Sequence, residues 1–235
     1  MTLPSSSHIV KQFDEDLAIL RDLVLRMGGL VENQLAAAVD ALERGDGAAA
    51  AAVVRGDREI DRIELESDAE VARLLALRAP LGIDLRTVLT LGKTVSDLER
   101  IGDEAKKIAR GTRNGVAEGR ELARMPTLAG VLDMAVLARG MLHDALNALV
   151  RLDLELAGKV AGSDDLQDQA LKEAITQGKA LMQSRPELVD AAFDLVFMAK
   201  SLERIADHAK NIANYVHYLV EGKDVRHPAA RRDAG

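Results

Sequence analysis

The sequence DLERIGDEAKKIAR at residues 97–110 returns as SLERIADHAKNIAN at residues 201–214, with nine of fourteen positions identical. Apolar residues recur every three or four positions in both copies, which is typical of an amphipathic α-helix. A pattern that returns 104 residues later indicates an internal duplication. The two stretches therefore predict two copies of one helical unit in tandem.

Apolar spacing and helix-ending residues predict three long helices in each half of the chain. In the first half, the first helix is expected to begin at the Pro-Ser-Ser-Ser stretch of residues 4–7 and to end near 44–47. The second is expected to span 48–78, and the third to run from a cap at Asp84 to the GTRNG stretch at 111–115. In the second half they are expected at 127–156, from Ser163 or Asp164 to Pro186, and at 187–221. The predicted fold is all-α, with six long antiparallel helices in two tandem three-helix bundles at 8–115 and 116–227. Residues 228–235 are predicted to be a mobile polar tail.

The composition argues against several function classes. A formal net charge of -7 disfavours direct nucleic-acid binding, which depends on clustered Lys and Arg. The chain contains no Cys, which removes disulfides, thiolate metal ligands and Cys nucleophiles. Neither a secretory leader pattern nor an apolar run of about 20 residues is present, so we expect a cytoplasmic protein without a transmembrane segment.

Acidic residues four positions apart mark the repeated helix and the helix before it in each half. Like charges at this spacing repel one another on a helix, so a compensating interaction is expected. If the two helices pack antiparallel with these faces adjacent, the carboxylates converge, and carboxylates without Cys favour hard cations such as Mg²⁺, Mn²⁺, Ca²⁺ or ferric iron, with Zn²⁺ also possible. The candidate metal ligands are Asp57, Asp61, Glu99, Asp103, Asp164, Asp168, Glu203 and Asp207, and Glu64 and Asp68 extend the first stripe.

Ion pairing explains the same acids equally well. Arg100 and Arg204 directly follow the motif glutamates, and Lys107 stands on the first motif stripe where the second has Asn211. A lysine there could neutralise the acids and replace a metal ion. Only His208 lies beside one of the acidic pairs, and it is expected at the surface or outside the first ligand shell.

Enzyme motifs are missing from the sequence. It contains no Glu-x-x-His pair of the ferritin-like di-iron type, no phosphate-binding Gly-rich loop, no G-x-S-x-G elbow and no H-E-x-x-H. A non-catalytic protein is therefore the leading expectation. A metal-dependent enzyme or metal store that uses the carboxylates, and a purely structural role for them, are the alternatives.

Several long stretches resemble one bacterial family, the phosphate-uptake regulator PhoU. The resemblance covers about residues 8–227, and its most specific features are the doubled LERI motif, the DLR opening of the third helix and the closing YLVEGKDVRH. The stretches that carry it are FDEDLAILRDLVLRMGGLVENQL, GDREIDRIELE, APLGIDLRTVLTLGKTVSDLERIGDEAKKIAR and SLERIADHAKNIANYVHYLVEGKDVRH.

The resemblance implies a function as well as a fold. It implies a homodimeric, non-catalytic adaptor that couples a phosphate ABC transporter, through its ATPase subunit, to the sensor histidine kinase PhoR and keeps the phosphate-starvation regulon off. It also implies that the eight E/D-x-x-x-D acids named above bind Mg, Mn, Fe or Zn ions. We expect Arg86, Arg100 and Arg204 to contact partners.

Overall fold

The computed structural model describes the backbone of residues 6–225 and the side chains of residues 11–163 and 165–225. This part of the chain is helical and contains no strand. The first half comprises α1 (Ser6–Arg44), α2 (Gly47–Gly56), α3 (Arg58–Arg78) and α4 (Gly82–Ala117). The second half comprises α5 (Leu128–Arg151), α6 (Leu154–Gly162), α7 (Asp164–Ser184) and α8 (Val189–Glu221). Two 3₁₀ turns, Leu122–Arg124 and Pro186–Leu188, precede α5 and α8, and the predicted tail at 228–235 lies outside the described residues.

The predicted fold class is confirmed, because each half contains three long helical segments in a bundle. The middle segment of each half is bent, so that α2 with α3, and α6 with α7, occupy the place of one helix. In the first half the bend lies at Asp57, whose side chain is 2% exposed and turns into the bundle. None of the described helices combines the length and the apolar run that crossing a bilayer requires.

The predicted stop of the third helix at GTRNG is wrong, because α4 continues to Ala117. Its two glycines are points of close helix contact. A Cβ atom added at Gly111 would lie 2.6 Å from Met198 Cε, and one at Gly115 would lie 2.7 Å from Leu122 Cδ1. These glycines admit neighbouring side chains and do not break the helix.

Three other predicted boundaries also need correction. The fourth predicted helix ends at Arg151, because Leu152 is left-handed and Asp153 caps α6 by accepting a hydrogen bond of 3.0 Å from the Leu156 amide. Asp84 is not a cap: Leu81 holds that position, and Asp84 lies in the first turn of α4. The last helix begins at Val189, two residues after the predicted start, behind a 3₁₀ turn.

The two repeated helices, α4 and α8, pack against each other at the centre of the molecule, and α1 packs against α5. The buried stripes consist of aliphatic side chains and many alanines, which allow close helix approach. Burying one leucine completely contributes about 2 kcal/mol. Fully buried positions include Leu20, Leu35, Leu98, Ile101, Leu142 and Ile205. This packing places the polar edges of α4 and α8 side by side at the surface.

Candidate functional site

The seam between α4 and α8 joins the two repeats through matched polar contacts. Asp97 Oδ1 lies 2.7 Å from His208 Nδ1, and Glu104 accepts a hydrogen bond from Ser201. Residues 97 and 201 are equivalent in the repeat, as are 104 and 208. In both contacts the first of these positions on one helix meets the second on the other helix. A pseudo-twofold axis between the repeats produces this arrangement.

Asp97 has several hydrogen-bond partners on α8. Its side chain is largely buried, and Tyr215 donates its hydroxyl at 2.7 Å while Asn211 donates its amide at 3.4 Å. Together with His208 these groups solvate the carboxylate inside the seam. Hydrogen bonds to a charged group are the stronger kind, so this network fixes the register of the two repeats.

Glu104 is the second buried acid of the seam. Burial opposes its ionisation, but hydrogen bonds from Lys107 and Ser201 and the positive charges of Lys107 and Arg204 outweigh burial, so the pKa of Glu104 lies below its ordinary value. Lys107 Nζ lies 2.8 Å and Arg204 3.1 Å from its Oε1. Lys107 therefore neutralises Glu104, and not the motif acids as the sequence suggested.

A cleft of about 570 Å³ lies over this seam. Both predicted partner-binding arginines of the repeated motif, Arg100 and Arg204, line it, together with Asp207 and Asn214. Arg86 lies elsewhere, at the start of α4, where its guanidinium packs against Gly222 after the end of α8. The three predicted arginines thus do not form one site.

All of the candidate acids of the first half except Asp57 lie along a groove between α3 and α4. Burial raises the pKa of Glu64, and the nearby charges of Asp68, Asp61 and Asp103 raise it further. Burial likewise raises the pKa of Glu99, with repulsion from Asp103 and Glu64 adding to it. Because Glu64 lies on α3 and Glu99 on α4, the repulsion acts across the groove. These carboxylates gain stability when a proton or a cation neutralises them.

Asp57 does not belong to that groove. Gln34 donates a hydrogen bond of 2.8 Å to its Oδ1, and Lys106 forms an ion pair with its other oxygen. The hydrogen bond that Lys106 donates to the Asp57 carboxylate raises the pKa of Lys106, and burial only partly opposes this effect. A Cβ atom at Gly102 would lie 3.1 Å from Gln34 Oε1, which explains why the first copy has glycine where the second has Ala206. Ion pairing, the alternative to metal binding, therefore accounts for Asp57.

The second-half acids are arranged differently. Lys200 pairs with Glu203 at 2.7 Å, Asp207 lines the seam cleft, and Asp168 is half-buried on α7. The side chain of Asp164 lies outside the described residues. The described part of this half shows no shared acidic groove like that between α3 and α4.

The donor set of the first groove fits a hard cation better than the described acids of the second half do. Its carboxylates come from two helices and repel one another. Among the described side chains, however, no three His, Asp or Glu residues stand in positions to ligate one ion. A cation bound there therefore requires side-chain rotations that bring Glu64, Glu99 and Asp103 closer together.

Sequence reasoning missed the residues that hold the seam together. Asp97 and Glu104 are seven positions apart on the same face of α4 as buried Ile101. That spacing could have indicated that both acids face another helix. Lys106 and Tyr215 were missed because their partners lie on other helices and far away in sequence.

Both halves of the chain match one family model. The model of the PhoU domain matches residues 24–112 and again residues 131–216. The chain belongs to the PhoU family. Each match contains most of one of the repeated helices, α4 in the first and α8 in the second.

Similar PhoU proteins match nearly the whole chain. The phosphate-specific transport system accessory protein PhoU homolog of Pseudomonas putida is 40% identical over 96% of this chain and 87% of that protein. The PhoU protein of Escherichia coli K12 is 33% identical over 96% of this chain and 92% of that protein. The crystal structure of PhoU from Pseudomonas aeruginosa has a TM-score of 0.85 at 39% identity and covers 89% of this chain and 99% of that one. The crystal structure of the phosphate transport system regulatory protein PhoU from Streptococcus pneumoniae has a TM-score of 0.82 at 29% identity. The match covers 91% of this chain and 99% of that one.

Proposed function

We propose that this chain is a non-catalytic negative regulator of phosphate uptake and of the phosphate-starvation regulon. The observation that carries the proposal is the match to phosphate-transport accessory proteins along nearly the full length of both chains. In this role the chain is a cytoplasmic adaptor that reaches the membrane through its partners.

The adaptor is proposed to contact the ATPase subunit of a phosphate ABC transporter and a sensor histidine kinase, and to act as a homodimer. The seam cleft supports a docking role for Arg100 and Arg204, because both arginines line it and their side chains are exposed. Arginine guanidinium groups pair well with acidic partner residues. Arg86, which is half-buried beside Gly222, is proposed to contact a partner only at that end of α4.

The groove between α3 and α4 is proposed to bind Mg, Mn, Fe or Zn ions. Repulsion between Glu99, Glu64 and Asp103 supports it, since a cation relieves that repulsion. For the second half, the ion pair between Lys200 and Glu203 predicts weaker cation binding. The two halves therefore contribute unequally to any dependence of signalling on metal ions.

The experiment is a measurement of alkaline phosphatase in phosphate-rich cells that lack their own copy of the gene. The wild-type chain is expected to restore repression, and E99Q/D103N is expected to lose more of it than E203Q/D207N. The matched control is E59Q/E66Q, which neutralises two exposed acids that pair with Arg62 on the outer face of α3. Failure of the well-expressed wild-type chain to repress overturns the regulatory proposal. If all variants repress equally, the motif acids have no part in the proposed regulation.

A further inference from the structure

A second cleft, of about 440 Å³, opens at the end of the molecule where α4 begins and α5 and α8 end. Its walls are mainly aliphatic. Four of its apolar side chains are more than half exposed: Leu25 at 51%, Ile83 at 60%, Val150 at 59% and Leu152 at 51%. Leu17, Val24, Leu91, Leu149 and Leu219 line the rest of it. Large apolar side chains gathered around a concave surface are typical of a docking site.

Leu152 adopts a backbone conformation that suits glycine better than leucine. Its φ is 53° and its ψ 41°, in the left-handed region. The caps Asp46 and Asp153 are equivalent in the two repeats, which makes Gly45, with a φ of 62°, the counterpart of Leu152. The second repeat therefore holds an exposed leucine in a strained conformation where the first repeat has an unstrained glycine. A side chain kept in this way is expected to serve a contact.

The opposite end of the molecule shows how the fold closes the equivalent opening. There the 3₁₀ turn before α5 inserts Leu122, which is 2% exposed, and Met125, which is 7% exposed. Gly115 and Gly45 make room for this turn. A Cβ atom added at Gly115 would lie 2.7 Å from Leu122 Cδ1, and one added at Gly45 would lie 3.3 Å from Ala123 Cβ. Two apolar anchors three positions apart on one short turn thus fill that end.

No described segment covers the cleft in the same way at its own end. The chain leaves α8 beside this cleft, but residues 226–235, RHPAARRDAG, contain no apolar side chain larger than proline. They cannot supply anchors like Leu122 and Met125. Two rim residues of opposite charge, Arg21 and Asp84, form no hydrogen bond or ion pair through their side chains with any described residue.

We propose that the end cleft receives a short amphipathic segment of a partner protein. Two apolar anchors of this segment, about three residues apart, enter between Leu25, Ile83 and Leu152. They fill this cleft in the way that Leu122 and Met125 fill the other end of the molecule. An acidic and a basic residue of the segment pair with Arg21 and Asp84, because the side chains of these two rim residues pair with no described residue. The end cleft is separate from the seam and from the acidic groove between α3 and α4, so this docking role does not depend on the proposed function.

The test uses the full chain and, as its probe, a synthetic peptide with the sequence of residues 118–128, EGRELARMPTL. Methyl NMR is expected to show saturable shifts at Leu25, Ile83 and Leu152 as the peptide is added. L152G removes the half-exposed anchor while keeping a favourable backbone, so it should weaken binding about tenfold without lowering the melting temperature. V136A, which shortens a valine 69% exposed elsewhere on α5, is the matched control and should bind as wild type does.

Several results overturn the proposal. It fails if the cleft methyls do not shift at millimolar peptide, or if L152G and V136A bind alike. It also fails if deletion of residues 226–235 or of residues 1–5 shifts the same methyls and strengthens peptide binding, since the chain then covers its own cleft. Methyl shifts that depend on protein concentration point instead to a second copy of the chain. Shifts caused by vesicles of phosphatidylethanolamine and phosphatidylglycerol point to a membrane surface.

Discussion

Removing the hydroxyl of Tyr215 should weaken the seam between the repeats measurably. The hydroxyl donates a hydrogen bond of 2.7 Å to Asp97 Oδ2, and both residues are largely buried. A hydrogen bond to a charged group contributes roughly 1.5–3 kcal/mol, and Phe preserves the packing of the ring. We therefore expect Y215F to lower the free energy of unfolding by about 2 kcal/mol, or the melting temperature by roughly 4–8 °C for a chain of this size.

The assay is urea unfolding followed by circular dichroism, with Y218F as the matched control. Tyr218 also lies on α8, and both tyrosine rings lie near Lys93 Nζ, at 5.5 Å for Tyr218 and 6.0 Å for Tyr215. The hydroxyl of Tyr218, however, makes no hydrogen bond with the described residues. Y218F should change stability by less than about 0.5 kcal/mol. Equal effects of the two substitutions would refute the argument that the seam depends on the carboxylate of Asp97.

Three further predictions concern charged groups of the first half. K106M should destabilise the protein by about 3 kcal/mol, because Asp57 stays buried without its cation, whereas K107M should cost less in the same urea assay, because Arg204 still pairs with Glu104. Glu64 and Glu99 have raised pKa values in the folded state, so their contribution to stability is greatest at acid pH and is lost as the pH rises through those values. E64Q/E99Q should therefore melt higher than wild type at pH 7 and lose that advantage near pH 4, and calorimetry showing no such pH dependence would contradict the prediction. Added Mn²⁺ at a hundredfold excess over its dissociation constant should stabilise the wild type by about 2.7 kcal/mol and leave E64Q/E99Q unchanged, and an equal shift in both would place the ion elsewhere.

The fold follows from the sequence because its signals are local and repeated. Apolar residues at helical spacing around Leu98 and Ile101 recur at Leu202 and Ile205, and all four are buried. The errors at helix ends have tertiary causes. At Gly111 the helix continues, and Met198, which is far away in sequence, occupies the space that a Cβ atom would need. Turn chemistry alone predicts a stop there.

The candidate site was only partly predictable. The spacing of Glu99 and Asp103 predicts a shared acidic face, and the structure places it opposite Glu64. The partners of Asp57 are Gln34 and Lys106, which lie on two other helices. The spacing between Asp57 and Asp61 could therefore not reveal that Asp57 is ion-paired. Contacts across the seam depend on how the two repeats dock, which a sequence repeat does not specify.

The central claim is that the chain acts as an adaptor, and sedimentation velocity of purified components tests it directly. The full chain would be mixed with the ATPase subunit of the phosphate transporter and the cytoplasmic part of the sensor kinase. The account predicts one complex that contains all three proteins and forms without turnover of ATP. Binding to neither protein, or displacement of one by the other, would contradict it.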